Sequence, residues 1–194
     1  MPIIDFLMKS GLLKSMNRHG WVIDGVKEPE SVADHSFRTA LMVMVLCPEN
    51  LDRDKAVRMA LVHDLPEAIT GDLVLLEYAQ QHERDLHPPG TFSGVTKKEK
   101  AGLEKKAMQE ITAGLDSGEV AALWKEYEEG GTPEAVFVKS VDKLEMCIQA
   151  VEYELQKRYK VKDISHYFTV ARQKIKEPSL LKLLDGIESR RPKN

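Results

Sequence analysis

The chain alternates between stretches carrying apolar side chains at helical spacing and short breaks rich in Gly and Pro. Ile3, Phe6, Leu7, Leu12 and Leu13 recur at helical intervals, which predicts a helix over residues 3–14, weakened near its end by Gly11. Gly20, Gly25 and Pro29 are expected to keep residues 17–30 out of regular helix, as a loop or short extended piece. Ser31, with Asp34 three residues on, reads as an N-cap. The apolar run from Ala40 to Cys47 buries most of that helix's circumference, and Pro48 ends it. A further helix is expected over 52–65. Residues 73–95, broken by Pro88-Pro89-Gly90, read as a short helix plus a mobile loop. Thr96 and Glu99 form a capping box for a helix to about residue 115, and Ser117 is expected to cap another to about 129. Gly130-Gly131 is a turn. Thr132-Pro133, an N-cap followed by Pro at the first helical position, opens the longest helix, to about 159. Helices over 163–176 and 178–190 close the chain. No strand pattern, internal repeat or sustained heptad occurs, so the expected class is all-α, a compact multi-helix bundle.

The 194 residues suit a single domain, 1–194, with a real core, and a composition 42% hydrophobic and 30% charged is globular. A net charge of −3 leaves no broad excess of Lys and Arg, which argues against holding long nucleic acid and permits a small anionic substrate gripped by local cations. The two cysteines, Cys47 and Cys147, sit inside apolar helical patterns and read as buried small hydrophobes. No apolar run is long enough to span a bilayer and no basic segment precedes the first apolar residues, so a cytoplasmic protein is the expectation. Lys97, Lys98, Lys100, Lys105 and Lys106 alternate with Glu99, Glu104 and Glu110 and read as a solvated helix face.

The chemistry concentrates at Leu61-Val62-His63-Asp64-Leu65-Pro66-Glu67-Ala68-Ile69-Thr70-Gly71-Asp72. A His-Asp pair ends an apolar run, Pro66 and Gly71 bend the chain, and two more carboxylates follow. Imidazole beside carboxylate is a usable set of ligands for a divalent transition metal. His35, in the first turn of its helix, and Asp142, among apolar neighbours in the longest helix, are the other ligand candidates. Each has an ordinary reading alone: a satisfied core histidine, or an Asp that faces water or pairs with Lys139 or Lys143.

Together these stretches resemble the HD-domain metal-dependent phosphohydrolase superfamily, and within it the 5′-deoxynucleotidase branch, the YfbR-like and eukaryotic HD-domain-containing group. The matching segments are Arg18-His19-Gly20-Trp21-Val22, Pro29-Glu30-Ser31-Val32-Ala33-Asp34-His35, Leu61-Val62-His63-Asp64, Glu67 through Gly71-Asp72, and Phe137-Val138-Lys139 through Asp142; the likeness runs from about residue 12 to about residue 188. It implies an HD-domain bundle in which His35, His63, Asp64 and Asp142 hold one divalent cation. Arg18 would hold the phosphate, Trp21 would shape the sugar side of the pocket, Glu67 would sit beside the attacking water as the catalytic carboxylate, and Asp72 would lie near the sugar hydroxyl. Read on its own, Trp21 leaves two readings open, a wall for base or sugar and an anchor of its loop to the core. A second ion at Glu67 and Asp72 occurs in some members. Two departures stand out: 73–95 looks like an insertion, and His19 and Gly20 separate Arg18 from Trp21 where bacterial members place Trp directly after Arg.

The implied activity is metal-dependent hydrolysis of deoxyribonucleoside 5′-monophosphates, a phosphoric monoester hydrolase acting on a small molecule, as a homodimer. A cation offsets the phosphate charge that repels a nucleophile, Arg18 can grip phosphate oxygens through paired hydrogen bonds, and Glu67 can position or deprotonate water. The ligand types do not choose among Mn, Co, Fe, Ni, Zn and Mg. The alternatives are another HD phosphohydrolase, acting on triphosphates or cyclic nucleotides, and a non-catalytic regulator that binds metal or nucleotide. A triphosphate would be expected to need more cations than Arg18 supplies.

Overall fold

The computed structural model describes residues 1–82, 94–160 and 163–192. Its elements are α1 (Pro2–Ser10), a 3-10 turn (Gly11–Ser15), α2 (His19–Ile23), α3 (Val32–Leu46), α4 (Arg53–Val62), α5 (Glu67–Thr70), α6 (Leu76–His82), α7 (Lys97–Ile111), α8 (Glu119–Glu129), α9 (Pro133–Gln156), α10 (His166–Lys174) and α11 (Pro178–Glu188). No strand occurs among the described residues; only the isolated bridges Asn17↔Ser31 and Leu75↔Val95 do. The all-α expectation holds. The centre of the stretch read as an insertion and mobile loop, 83–93, lies outside the described residues; its first part forms α6.

The polar punctuation of the sequence sets most boundaries. Ser31 Oγ accepts from the Asp34 amide at 3.1 Å while the Asp34 carboxylate accepts from the Ser31 amide at 2.9 Å. Thr96 and Glu99 make the same reciprocal pair, and Thr132 caps α9 ahead of Pro133. Such caps satisfy amides that have no partner inside the helix. Other boundaries differ from expectation for identifiable reasons. α4 ends at Val62, not at 65: Pro66 lacks the amide that would bond the Val62 carbonyl, so His63 and Asp64 fall in the turn between α4 and α5. α7 stops at Ile111, short of Gly114 and its φ of +77°. α8 starts after Gly118, with Ser117 Oγ accepting from the Glu119 amide at 3.2 Å. Within 17–30, expected to be irregular, one turn of helix forms as α2 because it buries Trp21 and Ile23 before Gly25, at φ +67°, turns the chain.

α9 is the axis of the bundle. It packs against α3, α4, α8, α10 and α11. Phe137, Val138, Val141, Leu144, Cys147 and Ala150 from α9 join Val43, Met59, Ile164, Ala171 and Leu184 in the main core. A second cluster, Leu13, Val32, Leu65, Ala68, Met108, Ile111 and Trp124, ties α7 and α8 to the start of the chain. A helix surrounded this way buries polar positions too, so Asp142 and Glu145 must find partners on its neighbours. Cys47 and Cys147 are both free and buried. No described helix is long and apolar enough to cross a membrane.

Candidate metal centre and substrate cleft

Three elements deliver the polar side chains. The Ser31 cap starts α3 so that His35, in its first turn, points into the bundle with 0% exposure. The Pro66 turn presents His63 and Asp64, and α9 supplies Asp142. His35 Nε2 lies 3.2 Å from Asp142 Oδ1 and 3.7 Å from Asp64 Oδ2; His63 Nε2 lies 3.2 Å from that same Asp64 oxygen. The four expected ligands are therefore one cluster, drawn from parts of the chain more than a hundred residues apart.

The unused lone pairs test whether a metal fits. His35 Nδ1–H donates to Glu145 Oε2 at 2.5 Å and His63 Nδ1–H donates to the Ala60 carbonyl at 2.7 Å. Each ring thus turns Nε2 toward the centre, where both Nε2 atoms are buried without a hydrogen-bond partner. Buried polar atoms without partners are rare and call for an explanation. Ligands at about 2.1 Å from one ion stand roughly 3.0–3.4 Å apart, close to the separations seen here. His35, His63 and Asp142 could hold a metal ion together. Glu30, His35 and Glu145 also cluster, but the Arg38 guanidinium stands 2.7 Å from Glu145 and 4.0 Å from Glu30 and disfavours a cation there.

The electrostatics match a cation-demanding centre. Burial opposes ionisation of Asp142, yet Lys143, His35 and His63 outweigh it and hold the carboxyl well below its ordinary value. Asp64 is likewise held low, against burial, by His63, Arg18 and His35. Burial and the Arg18 charge work against protonating His35, but Glu145 and Asp142 prevail and push it up to about 10.

Arg18 Nη1 donates to Asp64 Oδ2 at 3.0 Å. The bonds Arg18 N–H to Glu30 carbonyl, 3.0 Å, and Val32 N–H to Met16 carbonyl, 2.8 Å, pin this segment to the start of α3 and bring Arg18 to the cluster. Glu67, at the start of α5, is 2% exposed with Oε2 unpartnered. Burial, then the charges of Asp64 and Asp72, raise its carboxyl well above the ordinary value. Asp72 follows Gly71, whose φ of +76° suits glycine, and its Oδ2 accepts from the His19 amide at 2.7 Å. Trp21 is 2% exposed; its ring lies 4.1 Å from Tyr167 and 5.2 Å from Tyr153, and its Nε1–H donates to Glu30 Oε1 at 2.9 Å. Its ring is thus part of the core, and the residue also lines the cleft.

Two adjoining cavities open beside the cluster. A polar one of about 490 Å³ is lined by Arg18, His63, Asp64, Glu67, Asp72 and Asp142 together with Lys97, Lys100, Lys139, Lys143 and Lys174. An apolar one of about 380 Å³ is lined by Trp21, Leu73, Val74, Tyr78, Met146, His166 and Tyr167. Arg18, Asp72, Leu75, Lys143 and Lys174 line both and form the seam.

Several of these residues escaped the sequence reading. Lys100 is not simply part of a solvated face: its Nζ donates to the Leu73 carbonyl at 2.9 Å and lies 3.4 Å from Glu104 and 4.0 Å from Glu67. The (i, i+4) pairing of Lys100 with Glu104 was visible, but not the side of α7 it occupies. Tyr127, whose O–H donates to Asp142 Oδ2 at 3.4 Å, and Glu145 carried no local signal.

Comparison with known proteins gives the family and the fold. The HD domain family profile matches residues 10–182. A protein of Dictyostelium discoideum called 5′-deoxynucleotidase HDDC2 is 40% identical, covering 97% of this chain and 97% of its own. The Homo sapiens protein of that name is 35% identical over 99% of this chain and 87% of its own. Among solved structures, a conserved hypothetical protein from Pyrococcus furiosus superposes with a TM-score of 0.73 at 34% identity, covering 96% of this chain and 99% of that one.

Proposed function

The chain belongs to the HD-domain family, and from that premise we propose that it is a metal-dependent 5′-deoxynucleotidase, hydrolysing deoxyribonucleoside 5′-monophosphates to deoxynucleoside and phosphate. The observation that carries the reading is the pair of buried, unpartnered imidazole Nε2 atoms facing Asp64 and Asp142 beside Arg18. The full-length likeness to proteins called 5′-deoxynucleotidase supports the substrate class.

His35, His63, Asp64 and Asp142 would hold the ion. A divalent cation there supplies positive charge to the phosphate and makes water at the site easier to deprotonate. Arg18 spends one of its five N–H donors on Asp64 and offers the rest of its planar fork to phosphate oxygens, fixing them for in-line attack. Glu67, which lines the polar cavity with its Oε2 unpartnered, takes the proton from water as its oxygen attacks phosphorus. The phosphorus–O5′ bond breaks, and the proton taken by Glu67 is passed on to the 5′-oxygen, so that the nucleoside leaves as the alcohol and the base is regenerated. The apolar cavity suits base and sugar, with Trp21 closing one side. Asp72, which lines both cavities, would accept a hydrogen bond from a sugar hydroxyl, and with Glu67 it is the pair that would hold a second ion. Phe37, Leu41, Met44 and Val45, apolar and exposed on α3, support the homodimer, which light scattering tests.

The deciding experiment measures phosphate release from dAMP, AMP, a deoxynucleoside 3′-monophosphate and dATP, with and without added Co²⁺ or Mn²⁺. Metal-dependent release from dAMP exceeding that from the other three is expected. The lysines lining the polar cavity remove the shortage of cations that weighed against a triphosphate, so the dATP arm carries that distinction. Tight nucleotide binding with no release under either metal would favour a regulator instead.

A further inference from the structure

One buried carboxylate near the centre is neither a candidate ligand nor in the substrate cleft. Glu145 lies one turn after Asp142 on α9 and is 0% exposed. An ionised carboxylate at such depth is costly unless paired. Its Oε2 accepts from His35 Nδ1–H at 2.5 Å, and its Oε1 accepts from Arg38 Nε–H at 2.7 Å. Arg38 in turn donates to Glu152 at 2.7 Å and Gln149 at 2.5 Å. The pattern is two facing stripes: positions 35 and 38 on α3 meet 142, 145, 149 and 152 on α9, spacings that keep residues on one side of each helix.

We propose that Glu145, clamped by Arg38, is a positioning residue that keeps the His35 proton on Nδ1 and the His35 Nε2 lone pair directed at the ion. The inference rests on the reading of His35 as a ligand. Metal-bound histidines commonly donate their other N–H to a carboxylate, which fixes both tautomer and ring orientation. His63 gets the same service from the Ala60 carbonyl, a backbone group that side-chain substitution cannot remove. His35 depends on one side chain. A glutamine at 145 makes the dependence visible. An amide has a single acceptor oxygen, and Arg38 Nε–H claims it. The amide NH₂ then faces Nδ1, which must become an acceptor, and the proton moves to Nε2, where it blocks the ion.

The test uses the full chain with its metal stripped, titrated calorimetrically with Co²⁺, for wild type, E145Q, R38Q and H35A. E145Q is expected to bind Co²⁺ about 10- to 100-fold more weakly, and R38Q, which releases the clamp but keeps the acceptor, about 3- to 10-fold more weakly. Long-range ¹H–¹⁵N correlation on the metal-free proteins reads the ring directly: wild type keeps a proton on Nδ1 of His35, and E145Q carries it on Nε2 alone. A purely structural role for Glu145 would leave the Nδ1 proton in place. A folded E145Q with Co²⁺ affinity within twofold of wild type overturns the proposal. Should E145Q not fold, an R38Q affinity equal to wild type overturns it. H35A separates the two levels: unchanged Co²⁺ affinity there removes His35 as a ligand, whereas lost binding in H35A beside normal binding in E145Q removes only the role of Glu145.

Discussion

Arg18 Nη1 donates to Asp64 Oδ2 at 3.0 Å, joining residues 46 positions apart, so the proposed phosphate clamp is held by one of the proposed metal ligands. Each group thereby orients the other before substrate arrives. Arg18→Ala should lower kcat/KM for dAMP by about 10- to 100-fold, the equivalent of roughly 1.5–3 kcal/mol for hydrogen bonds to a charged group, chiefly through KM. Arg18→Lys should recover only part, because an ammonium lacks the planar fork. Steady-state kinetics checks both; unaltered kcat and KM in the alanine variant would exclude the contact.

Glu67 is the only carboxylate facing the polar cavity that has a buried oxygen without a partner among the described residues. Glu67→Gln should retain bound metal, measured by elemental analysis, while turnover falls by about 10²- to 10⁴-fold. Loss of the metal together with activity would recast Glu67 as a ligand, and undiminished turnover would dismiss it as a base.

Chelation should act on stability as well as on rate. A ligand present at 100 times its Kd stabilises the folded state by about 2.7 kcal/mol, which for a chain of this size is roughly 5–10 °C in Tm. Dialysis against EDTA should therefore abolish phosphate release and lower Tm by that order, and Co²⁺ or Mn²⁺ should restore both. A Tm indifferent to metal would count against the four-residue site.

Glu104 on α7 is 7% exposed, 3.4 Å from Lys100. Burial pushes its carboxyl up to about 7 even against Lys100, with Glu128 adding to the effect, whereas its ordinary value is 4.5. Between those values the folded chain keeps a proton that the unfolded chain has released, so this group costs stability as pH rises through that window. Glu104→Gln has nothing to ionise. Its Tm relative to wild type should improve between about pH 5 and pH 8; a pH-independent difference would show that Glu104 ionises normally.

What the sequence discloses divides along a physical line. Signals that act within a few residues are legible: the Ser31, Thr96 and Thr132 caps, the break at Pro48, the turn before Pro133. The bunching of His35, His63, Asp64 and Asp142 becomes legible only through resemblance, since nothing local says that residues 35 and 142 meet. Properties that depend on which helix faces which stay hidden. Lys100 resembles its neighbours Lys97 and Lys98 until α7 is seen to turn it toward Glu67. Glu145 is an ordinary helix residue until α3 lays Arg38 and His35 against it. Trp21 shows the converse: its motif position suggests a pocket wall, while packing against Tyr153 and Tyr167 also makes it part of the core.

α9 carries Asp142 for the ion and Glu145, Gln149 and Glu152 for the Arg38 clamp, and buries its apolar side chains among five other helices. Adding or deleting one amino acid before position 142 would swing everything downstream by about 100°, moving acid into oil and oil toward the ion at one stroke. In the lineage of this chain, length changes should therefore collect between helices and spare the stretch from Pro133 to Gln156, where chain length is itself part of the chemistry.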